Sequence, residues 1–216
     1  MKTIIVTGGT GGLGGTVVEL LARLYRCVLL YNSTAPSGDN VEGLQADLFK
    51  EDSVRAAVQR SASLFGAPYA LVHLAGGYAH GMVTGTSTDT WNHMIGLNLT
   101  SSFLVIRETM ATMRRDAPGR IVAISSEATR TKPKDAAAYA IAKSGLNLLI
   151  ELTAAELAGS GITANALVPG SLDTPAGRQA MPGARLVPLD QVAEAILFLL
   201  SEGAANINGA LIPMRG

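Results

Sequence analysis

An α/β fold, a parallel sheet of about seven strands with helices on both faces, is predicted by three observations on the 216-residue chain. Short β-branched runs alternate with longer stretches of helical apolar spacing. Most of those runs are apolar throughout, as strands buried on both faces must be. A glycine-rich turn joins the first run to the first helical stretch, in a chain that has 24 glycines.

Taken in order, the first strand is Thr3 to Thr7, and the helix after it runs from Gly14 to Leu24 on the apolar row Val17, Val18, Leu20, Leu21 and Leu24. The second strand is Cys27 to Tyr31. From Tyr31 to Asp47 the chain carries Pro36, Gly38, Asp39 and Asn40 but no apolar row, so this crossover is expected to be a loop, one helix fewer than a doubly wound fold usually has. Strands at Leu44 to Ala46, Ala70 to Leu74, Arg120 to Ser125, Thr163 to Val168 and Ala210 to Pro213 alternate with helices at Glu51 to Leu64, Thr88 to Arg115, Ala136 to Ala158 and Asp190 to Leu200. Between Thr174 and Pro188, the residues Gly177, Pro182 and Gly183 predict a short mobile flap, not two packed helices. No linker or repeat interrupts this order, so one domain over residues 1–216 is expected.

Seventeen basic residues balance seventeen acidic ones, and neither sign forms a block. Nucleic acid and anionic membranes are therefore disfavoured as partners, and a small molecule is favoured. The longest apolar stretch, Ala195 to Leu200, is far short of a membrane span, and Lys2 leads straight into the first strand without a secretory h-region. A cytoplasmic protein is expected. The lone Cys27 lies in an apolar strand and reads as a buried structural thiol.

Strand, glycine turn and helix occur in the order that a dinucleotide site requires, in Thr7-Gly8-Gly9-Thr10-Gly11-Gly12-Leu13-Gly14-Gly15. Without Cβ atoms a pyrophosphate can approach the backbone, and the helix N-terminus offers unpaired amides and partial positive charge. Two registers overlap here, Gly9-x-Gly11-x-x-Gly14 and Thr7-Gly8-x-x-x-Gly12-x-Gly14; the catalytic motif described below decides for the second, with Gly8, Thr10, Gly12, Leu13 and Gly14 as the expected contacts in a Rossmann-like fold. The second strand ends in Tyr31-Asn32-Ser33-Thr34, where a ribose-binding acid would usually stand. With no carboxylate to repel a 2′-phosphate and with Asn32 and Ser33 as donors, NADP(H) is favoured over NAD(H).

In Tyr139-Ala140-Ile141-Ala142-Lys143, four residues of helix turn through about 400° and bring the phenol and the ammonium onto one face. An ammonium beside it is expected to draw the phenol down from its usual pKa and make it usable as an acid/base. The strand ending in Ser125-Ser126 places a hydroxyl at the C-terminal edge of the sheet, where such folds bind ligands. His73, His80 and His93 show neither metal spacing nor a link to an acid or a serine, so no metal site is expected. Trp91, Met94, Ile95, Phe103, Ile106 and Met110 read as helix packing or a subunit contact.

In order, Thr7-Gly8-x-x-x-Gly12-x-Gly14, Ala75-Gly76, Asn98, Ser126, Tyr139-x-x-x-Lys143 and Pro169-Gly170 resemble the motif set of the short-chain dehydrogenase/reductase family, over nearly the whole chain. The resemblance implies that Tyr139 exchanges a proton with the substrate oxygen, that Ser126 orients that oxygen, and that Lys143 lowers the phenol pKa and holds the nicotinamide ribose. It implies a water anchored by Asn98, adenine contacts at Asp47 and Leu48, and a nicotinamide-side surface from Ala75, Gly76, Pro169, Gly170, Leu172 and Thr174. It also implies a homodimer or homotetramer, paired through the long helices.

The family usually has Asn-Asn-Ala-Gly after its fourth strand, whereas this chain reads His73-Leu74-Ala75-Gly76, so the strand must be braced differently. Two stretches, Ala75 to Gly81 and Leu172 to Pro182, resemble the dihydropteridine reductase branch, although that branch typically carries an acid after the second strand and lacks the serine. The expected activity is therefore NAD(P)H-dependent interconversion of a small carbonyl and its alcohol. Reduction of a quinonoid pterin is the runner-up, and a dinucleotide-binding sensor without turnover is the alternative of another class. Tyr78, His80, Arg178 and Met181 are the candidate substrate-pocket residues.

Overall fold

A computed structural model describes residues 1–216. Seven parallel strands, β1 (Thr3–Thr7), β2 (Arg26–Tyr31), β3 (Val41–Gln45), β4 (Ala70–His73), β5 (Gly119–Ile124), β6 (Ile162–Pro169) and β7 (Leu211–Met214), form one sheet in the order β3-β2-β1-β4-β5-β6-β7. The order reverses between β1 and β4, which opens a crevice at the C-terminal edge there. The predicted α/β class and strand count hold. The third strand begins three residues earlier than its apolar content indicates, because an edge strand with one open side tolerates Glu42 and Gly43.

Helices α1 (Gly14–Leu21) and α8 (Leu189–Leu200) cover one face, and α2 (Glu51–Phe65), α4 (Ser101–Thr112) and α6 (Ala137–Glu156) cover the other. On the first face Val17, Leu21, Val192 and Ile196 meet Ile4, Val6 and Leu29. On the second, Val54, Val58, Val105, Leu146 and Ile150 meet Ile5, Leu71 and Ile121. Each of these fully buried aliphatic side chains contributes about 2 kcal/mol of transfer free energy.

All crossovers but the last have the usual right hand. From β6 to β7 the chain moves in the same direction as from β4 to β5, yet α8 lies on the face opposite α4, which makes this unit left-handed. The physical reason is coverage. With no helix between β2 and β3, the α1 face would leave Val72, Val122 and Leu167 bare without Ala193, Ile196 and Leu199.

The predicted loop after β2 is present, whereas two predicted elements differ and one short helix is additional. The stretch expected as one helix from Thr88 to Arg115 is α3 (Thr88–Ile95), a π-helical turn (Gly96–Thr100) and α4. Apolar spacing does not register one extra residue in a turn. A four-residue helix, α5 (Ala128–Thr131), lies between β5 and α6. The expected flap contains α7 (Pro175–Ala180), started by Pro175 and by Thr174, whose hydroxyl accepts from the Gly177 amide at 3.0 Å. Gly177 also packs where a Cβ would lie 2.1 Å from the Leu172 carbonyl oxygen, so its role is close packing, not mobility. Cys27 is fully buried, and burial pushes its thiol up to about 12, in keeping with an inert structural residue.

Candidate active site

The glycine turn is shaped by close approach. Gly8 has φ +68°, and a Cβ on it would lie 2.6 Å from the Ala75 amide nitrogen. A Cβ on Gly14 would lie 2.2 Å from the Gly8 carbonyl oxygen. Only glycine fits at either place. The first helix is preceded by Leu13 with no side-chain cap, and Thr10, Gly11 and Gly12 are exposed; the Gly11 amide closes the turn onto the Gly8 carbonyl at 3.1 Å, while the Thr10 and Gly12 amides are free to meet phosphate oxygens. Thr174 seats a methyl 3.1 Å from where a Cβ on Gly12 would be, bringing the loop after β6 over the turn. A dinucleotide fits this cradle. Beside it lies a 660 Å³ cleft lined by Thr10, Gly15, Glu19, Arg23, Leu29 and residues 36–41, where a β2–β3 helix would otherwise pack.

At the adenosine side the sequence-predicted residues are partly engaged elsewhere. Asp47 accepts from the Phe49 amide at 3.0 Å and pairs with Lys50 at 3.1 Å, and these bonds hold its carboxyl below the usual range. Its carboxylate thus shapes the turn into α2. Leu48 packs its side chain against the second-face core. Asn32 and Ser33 are exposed at the end of β2, and the Asn32 carbonyl accepts from Gln45 at 2.9 Å.

The loop after β4 is held by Asn98, which is fully buried in the π turn. Its Oδ1 accepts from the Gly77 amide at 3.1 Å, and its Nδ2 donates to the Gly77 and Met94 carbonyls at 3.0 and 3.2 Å. The side chain itself thus clamps the backbone of this loop. Gly76 sits between, where a Cβ would lie 2.8 Å from Asn98 Oδ1 and 3.1 Å from Lys143 Nζ. Pro169 and Gly170 close the far side, the Pro169 carbonyl accepting from Glu127 at 2.8 Å and the Gly170 amide donating to Met214 at 2.9 Å. Leu172 bridges to Val187.

Ser126 follows the end of β5, and Tyr139 and Lys143 lie one turn apart on α6. Lys143 is buried, and its ammonium donates to the Ile124 carbonyl at 2.8 Å, which fixes it behind the Ser126 strand end. Burial lowers its pKa to about 8. The expected depression of the phenol by Lys143 does not occur. Burial raises the Tyr139 pKa, a hydrogen bond with Ser126 opposes the shift, and Tyr78 adds to it. Helical spacing places two side chains on one face, but desolvation outweighs an ammonium already committed to a carbonyl.

The four pocket candidates separate into two pairs. Tyr78 lies edge-on to Tyr139, ring centroids 5.0 Å apart, and edge-on to His80 at 4.8 Å. His80 Nδ1 is 3.1 Å from Asp135, an acid that sequence spacing did not single out because it is 55 residues away. Arg178 is paired with Asp173, and Met181 receives a hydrogen bond from Ser171 at its sulfur. These two belong to the packing around α7.

The short chain dehydrogenase profile matches residues 2–184. The chain belongs to that family. It is an NAD(P)-dependent oxidoreductase acting on CH–OH and C=O groups. Over the whole chain it is 32% identical to an uncharacterized oxidoreductase, YmfI, of Bacillus subtilis, covering 98% of that protein. It is 29% identical, again over the whole chain, to the 3-oxoacyl-[acyl-carrier-protein] reductase FabG of Pseudomonas aeruginosa, covering 96% of it. The ligand-free aldohexose dehydrogenase of Thermoplasma acidophilum superimposes with a TM-score of 0.91 at 25% identity, covering 99% of this chain and 92% of that one. No helix in this dehydrogenase is long and apolar enough to cross a membrane.

The buried Lys143 makes a pH prediction for the ligand-free dehydrogenase. Its folded pKa of about 8 lies below its ordinary 10.5, so between those values the unfolded chain holds the proton and the native one does not. Stability contributed by this group therefore rises with pH across that window, by roughly 3 kcal/mol in full. Denaturation of wild type and Lys143→Met from pH 7.5 to 9.5 should show wild type gaining about 2 kcal/mol on the variant. Parallel curves would mean that the ammonium is solvated.

Proposed function

We propose that this dehydrogenase reduces a small carbonyl to its alcohol, with Tyr139 as proton donor and Ser126 as the group that orients the substrate oxygen. What carries the reading is the shared end of β5 and α6. Ser126 and Tyr139 come together there, close enough for Ser126 to oppose the rise of the phenol pKa, with Lys143 buried at the same strand end and beside the glycine turn that Ala75 and Thr174 overlie. A phenol with a raised pKa is protonated at neutral pH. It is therefore ready to give a proton to a developing alkoxide.

The bound nicotinamide supplies the hydride. Gly8, Thr10, Gly12, Leu13 and Gly14 would hold the diphosphate, and Ala75, Gly76, Pro169, Gly170, Leu172 and Thr174 would flank the nicotinamide side. Asn98 keeps the β4 loop, and with it the space in front of Lys143, in shape. Lys143 is held by the Ile124 carbonyl, and its remaining protons would be free for the ribose hydroxyls. Tyr78 and His80 border the substrate, with Tyr78 packed on the ring that reacts. Exposed Asn32 and Ser33, with no acid among them, support NADPH over NADH. Asp47 and Leu48 would border the adenine from the end of β3.

Titration with NADH and NADPH, followed by a panel of ketones, aldehydes, 3-oxoacyl thioesters and a quinonoid pterin, tests the reading. Oxidation of the bound dinucleotide by a carbonyl is the expected result. Turnover of the pterin alone would transfer the assignment to the runner-up. Binding without any turnover would leave a sensor.

Residues 1–216 act as one unit in this proposal, and the unit pairs with itself. Ile141, Leu148 and Leu152 stand exposed in one stripe of α6, with Phe103 exposed on α4. Such a stripe fits a two-fold helix pairing. Leu148→Glu with Leu152→Glu should turn a dimer or tetramer into a smaller species in light scattering. An unchanged mass would place the interface elsewhere.

A further inference from the structure

His73 occupies the last position of β4, next to the topological switch, where relatives usually carry an asparagine. Its ring is fully buried, as are its two partners Thr7 and Ser102. His73 Nδ1 lies 2.8 Å from Thr7 Oγ1, and Nε2 lies 2.9 Å from Ser102 Oγ. Thr7 directly precedes the glycine turn, and Ser102 sits in the first turn of α4, just past the π turn.

Both ends choose the same tautomer. Ser102 spends its single proton on the Asn98 carbonyl at 3.0 Å, so its oxygen can only accept from the ring, and Nε2 must carry hydrogen. At the other end, Thr7 Oγ1 accepts from the Ala75 amide at 3.3 Å, and its own proton has no acceptor in reach except Nδ1. Nδ1 is then the acceptor. A second proton on the ring would leave the Thr7 hydroxyl proton without an acceptor, burial opposes it, and Lys143 on α6 is the charge that acts against it.

We infer that His73 is a positioning residue: held as its neutral Nε2–H tautomer, it carries one directional line of hydrogen bonds from the Ala75 amide through Thr7 and Ser102 to the Asn98 carbonyl, setting the phosphate turn and the Asn98–Lys143 wall in one register. The inference rests on the dehydrogenase reading only for what the register serves. An asparagine amide is too short to bond both β1 and α4 as the imidazole ring does. The substitution thus joins the strand before the phosphate turn to the helix that carries the opposite wall of the site.

Long-range 1H–15N correlation on the ligand-free, 15N-labelled protein tests the tautomer whatever the enzyme's substrate. One neutral Nε2–H ring, unchanged from pH 5 to 8, is expected. An Nδ1–H pattern, or a titration inside that range, overturns the inference. The positioning role is read from dinucleotide affinity. Thr7→Val and Ser102→Ala should each raise the NADPH dissociation constant about 5-fold, and Thr7→Ser should restore it. Because one line is broken in either case, the double variant should be within about 2-fold of the worse single one. Folded single variants with unchanged affinity, or fully multiplicative losses, reject positioning and leave a plain strand brace. If wild type itself binds no dinucleotide, the cofactor reading fails, and the tautomer experiment still stands or falls by itself.

Discussion

Replacing Tyr139 by Phe lowers kcat for carbonyl reduction by about 10³-fold, the scale of a lost general acid, while the dinucleotide dissociation constant stays within about 2-fold. The aromatic ring remains, so its edge contact with Tyr78 and its place on α6 are kept. What leaves is one hydroxyl, buried enough to raise its own pKa against the opposing effect of Ser126. Folding stability should therefore change by less than about 1 kcal/mol, since a single net hydrogen bond is worth about that much. Stopped-flow single turnover separates the chemical step from binding. Equal losses of affinity and turnover would make the phenol a structural group and would remove the proposed mechanism.

Gly14→Ala should be the most damaging single-methyl change in the nucleotide cradle. Its Cβ would meet the Gly8 carbonyl oxygen at 2.2 Å and the Gly9 carbonyl carbon and oxygen at 2.5 and 2.6 Å. All are backbone atoms that cannot rotate away, so the turn has to open. Overpacking of this kind costs roughly 1–3 kcal/mol, and the displaced amides should weaken dinucleotide affinity at least about 10-fold beyond that. Gly15→Ala is the paired control, because nothing lies within 4 Å of its Cβ. There alanine should keep affinity and gain up to about 1 kcal/mol from helix propensity. Calorimetric melting and fluorescence titration of the two variants side by side check both statements, and similar behaviour at the two positions would contradict the packing described here.

The strands and the nucleotide turn were legible for physical reasons that can be named. Doubly buried strands must be apolar throughout, and a turn in which backbone touches backbone must be glycine, so both leave a mark in composition. The electrostatics of the site left no such mark. Whether Lys143 acts on Tyr139 depends on where its ammonium finds an acceptor, and that acceptor is the Ile124 carbonyl, a main-chain atom common to every residue type. Asp135 met His80, and Asp173 met Arg178, only through folding. The π turn at Asn98 likewise escapes a period-based reading, because one additional residue per turn leaves the apolar row almost unchanged.

By itself the sequence determined a parallel α/β sheet, a glycine cradle at its switch point, a missing helix after β2, and serine, tyrosine and lysine at one edge. Those follow from local rules: periodicity, steric demand at glycine, and four residues per helical step. Tertiary structure alone decided the left-handed last crossover, the burial that raises the phenol pKa and the hydrogen-bond partners of His73. Each of these depends on which distant groups come to share one buried space, and in a low-dielectric interior those neighbours, not the residue's own identity, set charge and tautomer.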